Sequence, residues 1–143
     1  MEMQAESPAD ELARSVRHWI AEWGAQVANA EMDDARARFS PEVVSFGTAT
    51  DIVFGIDALH REQWSAVWPT IRGFTFDVDA TVVLSSPDGL QAVAVVPWSS
   101  EGRDGDAWFA RPGRATVVLA RASAGAPWLG MHTHFSLVPV PRG

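Results

Sequence analysis

The spacing of the large apolar residues changes once along this chain, and that change restricts the folds open to it. Leu12, Val16, Trp19, Trp23 and Val27 follow one another at three or four positions, as do Ile56, Leu59, Trp64, Val67 and Trp68 with small departures. That period builds helices with one buried face. From Phe74 the period becomes two: Phe74, Phe76, Val78, Ala80 and Val82 alternate with Thr75, Asp77, Asp79 and Thr81. Alternation of that kind builds strands that bury one face. Helices followed by a sheet, in one short chain, point to an α+β layer fold with the helices packed on one face of the sheet.

Punctuation residues set the expected boundaries. Ser7-Pro8-Ala9-Asp10 is a helix start: a capping hydroxyl, a proline suited to the first turn and an acid at the positive end of the dipole. A second short helix is expected from Glu31 to Phe39, stopped by Ser40-Pro41, and then a short strand from Val43 to Thr48. Gly55 and Asp57 open a third helix that ends at Pro69. Strands follow over Phe74–Leu84, Leu90–Trp98, Ala107–Arg121 and Pro127–Val138. Pro87-Asp88-Gly89 and Ala124-Gly125 are read as turns, Ser99–Asp106 as a polar loop, and Pro112-Gly113 as a bulge or bend. Short loops between long strands imply an antiparallel meander. The expectation is a single domain over residues 7–140, with residues 1–6 and 141–143 as flexible tails.

Composition removes several function classes. The 143 residues contain no Cys, so disulfides, thiolate metal sites and cysteine nucleophiles are excluded. No apolar run approaches the roughly 18 residues that span a bilayer. Met1 to Arg14 lacks a basic start followed by an apolar block, so no secretory leader and a cytoplasmic location are expected. The net charge is −7, and the basic residues are all Arg, scattered among acids. A phosphate backbone requires a basic stripe, so nucleic acid is not an expected partner. Seven Trp and seven Phe are a heavy load, suited to a core, a pocket lining or both.

Gly113-Arg114-Ala115-Thr116, then Trp128, then His132-Thr133-His134-Phe135-Ser136 form a specific series. It resembles the SnoaL-like branch of the nuclear-transport-factor-2-like superfamily, in which an Arg-x-Thr strand, a turn, a Trp and His-x-His-x-Ser often close the domain. The resemblance covers nearly the whole chain. It implies a cone-shaped, curved antiparallel sheet wrapped around the N-terminal helices, a pocket inside the cone, and homodimerisation through the outer sheet face. Function is not implied, because the same cone hosts isomerases, dehydratases, cyclases, assembly domains and binding modules.

Alternate residues of a strand share a face about 6.6 Å apart, a usable spacing for two imidazole metal ligands at His132 and His134. A third ligand is missing at any telling distance. The kinase association domains of the superfamily end in the same motif, and there the residue before the Ser points into the pocket. That resemblance implies that Met131, Thr133 and Phe135 line the cavity. His132, His134 and Ser136 would then face outward, with Arg114 and Thr116, in a polar dimer interface. The kinase domains carry Arg where this chain has Phe135, so an anion-binding group is absent from that position, which argues for an apolar ligand or simply a filled core.

Candidate bases are His60 and Asp77. His60 lies one helical turn before Trp64, on the same helix face, where an imidazole could serve as a base at the cavity mouth. Asp77 shares a strand face with Asp79, which reads either as a general acid/base pair or as a solvated face. Trp64 and Trp68 form an aromatic ridge that walls a pocket or closes the core, and Phe46 is a further candidate for the lining. The leading expectation is a small, mostly apolar organic molecule bound in the cone of a homodimer, without metal or cofactor. The alternatives are a cofactor-independent isomerase, dehydratase or cyclase, and a pure dimerisation or assembly module.

Overall fold

The structure, a computed structural model, describes residues 6–141. The expected tails fall largely outside that range. Within it, Glu6 is paired with Arg14, Nε to Oε1 2.9 Å.

The first helix, α1 (Pro8–Ala28), begins as its sequence dictates: Ser7 Oγ accepts from the Asp10 N–H at 3.1 Å, with Pro8 in the first turn. Its buried face carries Leu12, Val16, Trp19, Ile20, Trp23 and Val27. Gly24 belongs to that face because a Cβ there would stand 2.9 Å from the Phe76 ring. The short α2 (Met32–Arg36) follows.

Phe39 does not finish a helix, as the spacing suggested, but opens β1 (Phe39–Phe46). Tertiary packing decides the matter: its ring contacts those of Trp19, Trp23 and Trp64 and fills the space over Gly130, whose absent Cβ would lie 2.4 Å from it. After the two-residue β2 (Val53–Phe54) comes a composite third helix, α3, over residues 56–70. It begins as α-helix, widens to a π-turn over Leu59–Trp64, and tightens to a 3₁₀ turn at Trp68–Thr70.

The alternating run after Phe74 is two strands, β3 (Ile71–Phe76) and β4 (Val82–Ser85). Asp77 breaks it: its carboxylate accepts from the Ala80 N–H at 3.2 Å, offering the backbone a turn in place of a ladder. The long strand β5 (Gln91–Asp104) includes most of the expected polar loop. A two-residue connection, Gly105-Asp106, with Gly105 at φ 61°, leads into β6 (Ala107–Ala120). Pro112 does not interrupt the β5–β6 ladder, since it pairs with Ser99 in unbroken register. The last strand is β7 (Leu129–Leu137).

Seven strands form one curved sheet in the order β2-β1-β7-β6-β5-β3, with β4 on the same edge of β5 as β3. All pairings are antiparallel except β1 with β7, which is parallel. The α+β class expected from the change of period holds. Trp23 sits at the centre of the core between helix and sheet, against Trp19, Phe39, Phe76 and Phe135. Among the described residues, no helix is long and apolar enough to cross a membrane.

Candidate functional site

A cavity of about 40 Å³ opens at one end of the sheet's inner face. Each element contributes for a local reason. The π-turn gives Gln63 and Trp64 to the wall, two consecutive residues that are both buried. Turns of this kind recur at functional sites. Trp68 follows one turn later and stacks on Trp64 with ring centres 4.7 Å apart. The pleat of β5 directs Ala92, Ala94, Val96 and Trp98 inward, and Trp98 reaches the cavity. Phe74, Phe135 and, from α1, Trp23 complete the aromatic surround.

One charged residue belongs to the lining. Arg111 of β6 donates from Nη1 to Ser100 Oγ at 3.2 Å and from Nη2 to Thr48 Oγ1 at 3.0 Å. Its guanidinium carbon lies 5.5 Å from the Trp98 ring centre. Burial holds its pKa below the ordinary arginine value. The side chain remains a cation at neutral pH. Among the described residues, the lining contains no Asp, Glu or His.

The candidates from sequence separate into three groups. Trp64, Trp68 and Phe135 line the cavity. Thr133 is buried on the inner side, where its hydroxyl meets that of Ser45 at 2.7 Å, away from the cavity wall. Met131 and Phe46 lie elsewhere. Between Leu119↔Gly130 and Val118↔His132 the β7 strand holds one extra residue, Met131, which bulges outward and is 37% exposed. Gly130 occupies the inner face in its place. Phe46 pairs with His134 across β1 and β7 and packs against its ring, tilted, with centres 4.2 Å apart, on the outer face.

On that outer face Arg114 pairs with Ser136, Nε to Oγ 2.8 Å, and Thr116 pairs with His134 in register. His132 Nδ1 lies 2.7 Å from the Val44 carbonyl oxygen, which can only accept, so Nδ1 carries the proton. His60 does not reach the cavity lining. Its Nδ1 faces Arg36 Nη1 at 2.9 Å, and Arg36 also pairs with Asp57. Asp77 is exposed and committed to its turn, so the shared strand face assumed for Asp77 and Asp79 does not exist. Among the described residues, no three His, Asp or Glu side chains gather as a metal site.

Sequence reasoning passed over Arg111, Trp98, Trp23 and Gln63. Strand parity carried a signal for two of them. Arg111 alternates with Gly113, Ala115, Val117 and Leu119, and Trp98 with Ala92, Ala94 and Val96, all of them buried. Gln63 needed the π-turn, which apolar spacing does not announce.

No curated protein matches this chain. Solved structures do. A nuclear transport factor 2-like superfamily protein from Salmonella enterica serovar Typhimurium superposes with a TM-score of 0.75 at 18% identity, covering 94% of this chain and 96% of the other. A putative calcium/calmodulin-dependent protein kinase II association domain from Xanthomonas campestris gives 0.75 at 18%, covering 96% of each. A Catenulispora acidiphila structure in complex with S-DNPA gives 0.68 at 16%, covering 88% of this chain and 92% of that one. At such identities the likeness concerns the fold. The SnoaL-like domain model matches residues 16–141 and so takes in both the helices and the His-x-His-x-Ser strand. This chain belongs to the SnoaL-like domain family.

Proposed function

We propose that this protein is a homodimeric binding domain that holds a small, mostly apolar organic molecule in its cone. The observation that carries the reading is the character of the cavity: six aromatic side chains, Trp23, Trp64, Trp68, Phe74, Trp98 and Phe135, around a single cation. Apolar walls with a few placed polar groups are what small-molecule sites share. A lining without carboxylate or imidazole favours binding over proton abstraction, which needs a base within reach of the substrate. The Catenulispora neighbour in complex with S-DNPA lends support from within the same fold.

The homodimer rests on the outer face. Val82, Leu84 and Val95 are 54%, 55% and 40% exposed, and Val82 pairs directly with Val95. A contiguous apolar stripe beside the Arg114–Ser136 pair suits a second copy of the chain.

The cavity volume supports a second reading, an assembly module that fills its own cone. Some 40 Å³ holds about three waters, and an aromatic ring enters only if mouth residues such as Val67 or Arg111 move. Native mass spectrometry of freshly purified, untagged protein separates the two. A dimer that retains an organic mass supports the binding reading. A dimer of bare protein mass that also takes up no added aromatic compound supports assembly, and a monomer contradicts the interface.

A further inference from the structure

The polar groups around the cavity are nearly all donors. The indole N–H groups of Trp23 and Trp98, like that of Trp19 outside the lining, are buried and have no hydrogen-bond partner among the described residues. Both residues line the cavity. Arg111 adds a guanidinium whose partners are two neutral hydroxyls, on Ser100 and Thr48. Most other arginines of the described chain pair with a carboxylate, among them Arg14, Arg72 and Arg121, while Arg111 has none. The oxygens available in the lining are already engaged: Gln63 Oε1 accepts from Thr50, and Thr48 Oγ1 accepts from Arg111. A guanidinium without a carboxylate partner, at the edge of an aromatic chamber, selects an occupant that brings acceptors and negative charge.

Access fits the same occupant. A second depression, about 170 Å³, adjoins the cavity and shares Thr48, Val67, Ile71 and Arg111 with it. Arg111 therefore stands between an outer vestibule and the aromatic chamber. A carboxylate arriving through the vestibule competes with two neutral hydroxyls for the guanidinium. Against hydroxyls that carry no charge, a carboxylate adds the attraction of opposite charges and can take two parallel N–H···O bonds from one guanidinium, so the carboxylate wins the exchange. Part of the desolvation of Arg111 has been met by folding, as its lowered pKa records.

We propose that the cone takes a small aromatic carboxylate, its anionic end held by Arg111 at the mouth and its ring among Trp64, Trp68 and Phe135. This rests on the reading of the cavity as a binding site and names its ligand class. Phe135 by itself points to a mostly apolar ligand or a filled core; Arg111 supplies from β6 the charge that position lacks.

The test is a titration with benzoate and with benzamide, its uncharged near-isostere, followed by calorimetry or chemical-shift changes at neutral pH. Benzoate is expected to bind at least about tenfold more tightly than benzamide. In Arg111→Gln the preference for benzoate should disappear and the two affinities become equal, with the fold verified by circular dichroism. Arg114→Gln, on the outer face, should keep the preference. If Arg111→Gln fails to fold, Thr48→Val replaces it: removal of a competing acceptor should tighten benzoate, and an unchanged or weaker affinity overturns the proposal. Equal affinities in the wild type, or a preference that survives Arg111→Gln, overturn the carboxylate inference and leave the cavity reading intact. Failure of both compounds to bind overturns both.

Discussion

A Cβ placed on Gly113 would stand 2.2 Å from the indole of Trp98, the residue it pairs with across β5 and β6. The glycine is what lets Trp98 lie flat against the neighbouring strand and still reach the cavity. Gly113→Ala cannot be accommodated without moving that ring, because Ser136 O closes the other side at 2.6 Å. Overpacking of this kind costs about 1–3 kcal/mol. Urea denaturation should show that loss, and benzoate binding should weaken with it as the wall is displaced.

Ser45 and Thr133 offer a separate test of the inner face. Their hydroxyls meet at 2.7 Å in a setting where each residue is 1% exposed. Removing one hydroxyl strands the other in an apolar core, so Ser45→Ala or Thr133→Val alone should cost about 1–3 kcal/mol. The double variant should cost less than the sum of the singles, since it leaves no unpaired group. Equilibrium unfolding of the four proteins measures this coupling.

Ligand affinity should not depend on His60. The cavity lining contains no group that titrates near neutrality, and His60 is engaged with Arg36 outside it. Benzoate affinity is therefore expected to stay constant from about pH 5.5 to 8.5, and His60→Ala should alter it by less than about twofold. Calorimetry across that range checks both. A step near the imidazole pKa that vanishes in His60→Ala would return His60 to the site.

Much of the fold was legible because period is a local property. The face of α1 and the inward positions of β5 follow directly from spacing. What escaped was decided by contacts distant in sequence. Phe39 joins a strand because Gly130 leaves room for its ring, and no local pattern links those positions. The resemblance to the kinase association domains implies an inward Met131, and one extra residue opposite Val118 and Leu119 turns it outward. Phe135 lies beyond the bulge and lines the cavity. The site was read from its aromatic ridge and the closing motif, Trp64, Trp68 and Phe135, whereas its single cation, Arg111, is one arginine among eleven and is distinguished only by strand parity.

The central claim is that small molecules enter the chamber bounded by Trp23 and Trp98. The indole N–H signals of ¹⁵N-labelled protein report on it directly. Trp128 is an internal control, since its Nε1 already donates to Ser15 Oγ at 2.9 Å outside the cavity, and Trp108 is another, against Arg72 on the surface. On titration with benzoate, the Trp23 and Trp98 signals should move in a saturable way while those of Trp108 and Trp128 stay in place. Unmoved Trp23 and Trp98 signals at saturating benzoate, or equal shifts at all four indoles, would contradict the account.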